Sequence, residues 1–318
     1  MKKSWHTDPI IFCVFASWAV AFVLIKESLA PVGSFTPLAF LWPRMFLSAI
    51  ILFALLPVIR ESMRLSRGDL MKTVVIGVVG LGSYHLLFTI ALSMTTPVDT
   101  ALIIGTGPVM TALWMPLFKL DRTKARGWLG VVICFATVAV IALSGAASEK
   151  THVEWQRRLL GDIIMLVAAN CWALNGILCR KAPPHLKPSA ITAWGMLWAS
   201  AALLPFCVWG IPGLPGFGGI FQQNWSAITA THWGFFAYAV LPASTVSIIF
   251  FYHGVKKVGP LHTIIYQNVS PIITAAVVFF MKGTRPSVVQ VLGVFTIFLG
   301  VYLTRTSKRV ADVQPIDP

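Results

Sequence analysis

Charge is what this sequence has least of. Charged residues make up 11% of its 318 positions and only 11 are acidic, where a soluble domain carries about 25% charged residues. With 57% hydrophobic residues and a mean hydropathy of +0.78, there is too much apolar surface for one water-soluble core, which excludes an aqueous globular domain. Cysteine is scarce as well. Cys13, Cys134, Cys171, Cys179 and Cys207 all fall inside apolar runs, without the paired spacing of a metal site or a disulfide framework. There is no glycine-rich phosphate loop and no metal-spaced His or carboxylate cluster, so neither cofactor nor metal is expected. The net charge of +14 would suit nucleic acid, but the basic residues lie in short segments between apolar runs. That distribution belongs to membrane topology and rules nucleic acid out as the partner.

What the chain does have is length of apolar sequence. Ten runs reach spanning length, roughly Ile10–Leu29, Pro37–Ile59, Met71–Met94, Val98–Phe118, Gly127–Ser144, Gly161–Cys179, Pro188–Gly210, Trp233–His253, Pro260–Met281 and Pro286–Thr304. A membrane helix needs about 20 apolar residues. A membrane β-barrel would show short alternating segments instead. The expected fold is an all-α polytopic membrane protein in the lipid bilayer. Lys2 and Lys3 ahead of the first run imitate a signal peptide, but the run is long enough to span and reads as an uncleaved first helix. With the N-terminus placed in the cytoplasm, 18 Lys and Arg fall in inner segments and 5 in outer loops. This positive-inside bias puts both termini in the cytoplasm.

The chain also repeats itself. PVDTALIIGTGPVMTA (Pro97–Ala112) returns as PLHTIIYQNVSPIITA (Pro260–Ala275), 163 residues later. Pro97/Pro260, Thr100/Thr263, Pro108/Pro271, Thr111/Thr274 and Ala112/Ala275 are identical, and the offset also carries Leu129-Gly130-Val131 onto Leu292-Gly293-Val294. The first and sixth runs echo each other, Trp18-Ala19 with Trp172-Ala173 and Lys26 with Arg180. Five spans per half is an odd number, so the second half enters the membrane from the opposite side. The expectation is two inverted five-helix repeats, 1–145 and 161–305, joined by an external connector at 146–160 and followed by a cytoplasmic tail at 306–318.

Taken together, the Trp18 and Trp172 cores with a basic residue at each helix end, Arg44 early in the second run, the Pro108 and Pro271 pattern, and Gly130 and Gly293 resemble the drug/metabolite transporter superfamily, in particular its EamA-domain permeases. The likeness covers nearly the whole chain. It implies a multi-pass protein of the bacterial inner membrane. Its function would be that of a secondary carrier working by alternating access, exporting small metabolites such as amino acids, in some members coupled to protons.

Several residues are candidates for the work of transport. Proline lacks an N–H and clashes with the carbonyl four residues back. Pro108 and Pro271 would therefore free the carbonyls of Ile104 and Gln267, which in lipid need a partner or a wet cavity. Thr263, Gln267, Ser270 and Thr274 form one stripe of a helix, and Thr100 and Thr111 keep its register in the first half. The stripe would line a substrate path, or else bond helix to helix. Trp18, Trp172, Asn175, Tyr84, Tyr252 and Tyr266 are placed toward the centre, a mix suited to a small amphipathic solute. Among charges within the runs, Arg44 either pairs with Glu27 or meets a substrate carboxylate or carbonyl, and Lys26 snorkels to the interface. Asp99 and His262 hold equivalent positions in the first turns of their helices, as gate or proton residues or, for Asp99, as a carboxylate favoured by a helix start. His85 is the better-placed titratable group, or a core histidine. An intramembrane enzyme would need a clustered site that is absent. A small-multidrug-like cation exporter would need an acid deep in the first run, and Glu27 sits near its end. A channel suits the two proline-interrupted helices less well than a carrier.

Overall fold

The computed structural model describes residues 7–29, 34–118, 125–144, 155–212 and 216–306, and among them there is helix and no strand. In lipid every backbone N–H and C=O needs a partner within the protein, and continuous apolar sequence meets that demand by winding into helix. Among the described residues seven helices are long and apolar enough to cross a bilayer: α1 (Thr7–Ser28), α2 (Pro37–Val58), α3 (Arg67–Met94), α6 (Trp155–Arg180), α7 (Pro188–Trp209), α8 (Ala230–Val258) and α9 (Pro260–Lys282). Two shorter apolar helices are α5 (Ala125–Ser144) and α10 (Val288–Thr306). Between α3 and α5 lie two eight-residue pieces, α4a (Pro97–Ile104) and α4b (Gly107–Trp114). Prolines open α2, α4a, α7 and α9, where a missing N–H costs nothing.

Some boundaries differ from those read off hydropathy. The third and eighth helices start earlier, at Arg67 and Ala230, and α6 begins at Trp155 rather than Gly161. Arg158, counted in an outer loop by its charge, therefore belongs to the first turn of a buried helix. Of the connector at 146–160, residues 146–154 lie outside the described residues, as does the tail beyond residue 306.

The prolines of the repeat act differently from a simple kink. The fourth segment breaks at Gly105-Thr106, and Pro108 sits at the second position of the new helix α4b. In α9 a tight 3-10 turn, Tyr266–Val269, stands at the equivalent place and Pro271 is second in the helix that follows. The chain restarts its hydrogen bonding before each proline, which satisfies more backbone than forcing a continuous helix through it. A second pair of irregularities flanks the first. α3 winds as wide π-helix over Ile76–Gly82 and α8 over Ala239–Val246, again starting 163 residues apart.

Packing follows the same offset. α3 packs on α6 and α8 on α1; α4 packs on α6 and α9 on α1; α3 meets α7 and α8 meets α2. α2 lies on α7, α5 on α10, and α4 on α9. In the last pair α4a touches the far half of α9 and α4b its near half, so the two run antiparallel. α5 and α10 approach with small residues between them. A methyl on Gly130 would stand 2.2 Å from the Gly300 carbonyl oxygen, and one on Gly300 2.5 Å from Cys134 Sγ. Backbone meets backbone there, as small-residue crossings in membranes allow. Gly130→Val is accordingly expected to cost at least about 1–3 kcal/mol through overpacking, read as a loss of monodisperse protein after detergent extraction and a lower unfolding midpoint.

Candidate functional site

The middle of the helix bundle holds a small cavity of about 30 Å³, room for one or two waters. α1 lines it with Trp18, Ala21, Phe22 and Ile25, α2 with Arg44, α3 with Tyr84, His85 and Phe88, α6 with Trp172, and α8 with Ala243, Ser244 and Ile248. The aromatic wall is continuous. Trp172 lies 4.8 Å from Tyr84, 4.6 Å from Phe251 and 5.1 Å from Trp18, centroid to centroid, the last edge to face. Trp18 Nε1 donates to the Ala243 carbonyl at 2.8 Å, a carbonyl of the wide-wound stretch of α8. In the same stretch Val240 O accepts from Thr245 at 2.7 Å and from Ser48 at 3.3 Å. Side chains from α1 and α2 thus fill the bonding capacity that irregular winding leaves open.

Arg44 is the charge in this cavity. It is 2% exposed. Its Nη2 lies 3.1 Å from His85 Nδ1 and its guanidinium 5.5 Å from the Phe40 ring centroid. Arg44 Nε and His85 Nε2 are buried without any hydrogen-bond partner. No carboxylate pairs with Arg44 among the described residues. The expected Arg44–Glu27 pair is not formed, because Glu27 bonds Lys282 at 2.6 Å at the end of α1. The Lys26 ammonium donates to the Leu92 and Ser93 carbonyls at 2.8 and 3.0 Å, closing off the last turn of α3. Arg44 is thus held by an imidazole and Lys26 by backbone carbonyls at a helix end.

The helix 4 and helix 9 stripe does not line this cavity. Its members divide into two groups. Thr274 donates to Ala19 O at 3.1 Å and Ser270 to Phe15 O at 3.4 Å, both on α1, and Thr263 bonds its own helix at Gly259 O. The first two join α9 to α1, while Thr263 stays within its own helix. Thr100, Thr111, Gln267 and Asn268 are equally buried, yet Thr100 Oγ1, Thr111 Oγ1, Gln267 Oε1 and Asn268 Oδ1 have no partner. Gln267 and Asn268 lie in the 3-10 turn of α9, where a methyl on Gly107 of α4b would stand 2.9 Å from Gln267 Oε1. Asn175 accepts from Tyr252 at 2.9 Å and keeps a free Nδ2. Tyr266 is half-buried beside His262.

Each end of the bundle carries a polar junction. At the end poor in Lys and Arg, Asp99 of α4a binds Arg158 of α6 through Nε and Nη2 at 2.8 and 2.7 Å and accepts from Gln290 of α10 at 2.9 Å. Thr95 stands between Asp99 and Asp162, in a short contact with the latter. At the opposite end His262 meets Asp8 at 3.1 Å. Asp99 and His262 are not brought together, as their positions on antiparallel helices require. Sequence reading missed Arg158, Asp162 and Thr95. A signal was present: the 154-residue offset that carries Trp18 onto Trp172 also carries Asp8 onto Asp162. A larger cavity of about 520 Å³ between α1 and α8, lined by Cys13, Val14, Pro242 and Phe250 among others, has no charged lining.

Apolar helices of spanning length, with the interrupted winding of α4 and α9 beside them, define a multi-pass membrane protein of the transporter class. The chain belongs to the EamA-like transporter family, whose model matches it twice, over residues 7–143 and 159–306. It is 26% identical over 272 residues to an uncharacterized transporter of Bacillus subtilis, covering 85% of each chain. It is 28% identical over 207 residues to an S-adenosylmethionine/S-adenosylhomocysteine transporter of Chlamydia trachomatis, covering 62% of this chain and 61% of that one. A crystal structure of a protein 15% identical superposes with a TM-score of 0.64 over 96% of this chain and 98% of the other, a likeness of fold alone.

Proposed function

We propose that this protein is a secondary carrier, and not an enzyme, that exports small carboxylate-bearing metabolites such as amino acids by alternating access. Its ten membrane segments form two inverted five-helix repeats with both termini in the cytoplasm of a bacterial cell. The observation that carries this reading is Arg44, a fully buried cation with an unpaired Nε and no acid beside it, facing an aromatic cavity between helices of both halves. An unpaired charge in a low-dielectric interior costs several kcal/mol, and an arriving carboxylate would relieve that cost while the rings take its apolar part. Support for the inversion comes from the antiparallel α4–α9 pair and the paired irregularities at one sequence offset.

The test is counterflow. Purified protein in liposomes, preloaded with each unlabelled solute of a panel, is expected to accumulate the labelled form of at least one carboxylate. Amino acids belong in that panel, as does S-adenosylmethionine, which joins a carboxylate to a flat base and a cationic sulfur that aromatic faces attract. Silence across the panel sinks the reading. The unpaired polar atoms of Thr100, Thr111 and Gln267 mark where the path continues between α4 and α9. Gln267→Ala is expected to change substrate affinity more than the amount of folded protein. An equal fall in both assigns Gln267 to packing.

A further inference from the structure

We propose that Asp162 carries a proton in this conformation and is the site at which proton release is coupled to opening of the cation-poor end, the outer one in the topology above. Asp162 is 1% exposed and Asp99 0%. The two carboxylates share one guanidinium, and it is spent on Asp99. Asp99 Oδ2 accepts both Arg158 contacts, Oδ1 accepts from Gln290, and the backbone N–H of Asp99 is itself capped by Thr96. Both oxygens of that carboxylate are thus matched by donors, one of them charged. Asp162 has none of this. Its Oδ2 is buried without a partner and its Oδ1 meets only Thr95.

Counting hydrogens points the same way. Thr95 Oγ1 lies within reach of Asp162 Oδ1 and, at 3.5 Å, of Asp99 Oδ2. A hydroxyl has one hydrogen to give and can accept. If both carboxylates are ionised, one of them faces a lone pair. A proton on Asp162 turns it into the donor: Asp162 O–H donates to Thr95, and Thr95 donates to Asp99. The same proton removes a second buried negative charge, the costliest item at this end of the bundle. The other charged groups described here are already engaged, Lys26 with the Leu92 and Ser93 carbonyls and Glu27 with Lys282, while Arg157 sits on α6 beside Arg158.

The opposite end holds the counterpart. The repeat offsets carry Asp162 onto Asp8 and Asp99 onto His262, and these two also touch, at 3.1 Å. There the side chains are 29% and 36% exposed. One end is thus sealed around its acid pair while the other is partly open. Parting α4a from α6 would break the Thr95 bridge and let water reach Asp162, which then gives up its proton to that side.

Proton occupancy is read directly by infrared spectroscopy of the full-length protein in lipid at neutral pH. The wild type is expected to show a protonated-carboxyl C=O band, shifted in D2O, that Asp162→Asn loses. Identical spectra in that region overturn the proposal. Should Asp162→Asn yield no folded protein, Asp162→Glu is expected to move the band, and an unmoved band overturns the proposal equally. The coupling role rests on the carrier reading. A solute that scores in counterflow should be driven uphill by an imposed pH gradient in wild type, and at least about tenfold less in Asp162→Asn relative to that variant's own exchange at equal pH. Equal uphill accumulation overturns the coupling. If no solute scores, the carrier reading has failed, and the infrared band still decides whether Asp162 holds a proton.

Discussion

Arg44→Gln is expected to weaken saturable counterflow of any carboxylate solute by at least about tenfold while leaving the protein folded. A hydrogen bond to a charged group contributes roughly 1.5–3 kcal/mol, so losing it should weaken binding by about tenfold to more than a hundredfold. Glutamine keeps a donor and much of the length but removes the charge. It also removes a buried cation without an acid partner, so folding stability should hold or rise. Affinity down with stability level or up is the signature of a charge kept for a ligand. Affinity and thermal midpoint falling together would mark Arg44 as a structural group held by His85 and Phe40. Arg44→Lys supplies the finer comparison: it restores charge without the planar fork and should recover only part of the affinity.

The second large effect belongs to Arg158. Arg158→Gln strips Asp99 of its only charged partner among the described residues, in a junction where Asp99 is wholly buried. Removing one member of a buried pair typically costs about 3–5 kcal/mol, a large share of the stability of a single domain. The expected result is a steep fall in folded yield and a lower midpoint of unfolding in detergent. Combining it with Asp99→Asn should restore much of the loss, since the uncompensated charge is then gone. A single variant as stable as wild type would show that Gln290 and Thr95 hold Asp99 without help.

Helices and repeat were legible from the sequence because both are written in residue type. Lipid requires continuous apolar runs, and duplicated segments keep their prolines and threonines in step. The family was legible for the same reason. What escaped was the partner of each charge. Arg44 and Glu27 looked close on a linear reading, yet Glu27 sits at the end of α1 beside Lys282 of α9, a neighbour that only the packing of α1 on α9 creates. Arg158 was read as a loop residue because a cluster of charges ahead of an apolar run usually is one. Its burial depends on Asp99, 59 positions earlier in the chain. The threonine stripe was visible as a stripe, but a hydroxyl that bonds a neighbouring carbonyl and one left unpaired look the same in sequence.

The wide winding of α3 and α8 has a consequence for how the cavity can change shape. A π-turn stores slack, since its hydrogen bonds skip one residue further than in ordinary α-helix. Drawing that slack out would turn the adjoining stretch by one position, about 100°, and slide it about 1.5 Å. Tyr84 and His85 follow the slack in α3, and Ser247 and Ile248 follow it in α8. A twist of that size would swing the imidazole away from Arg44.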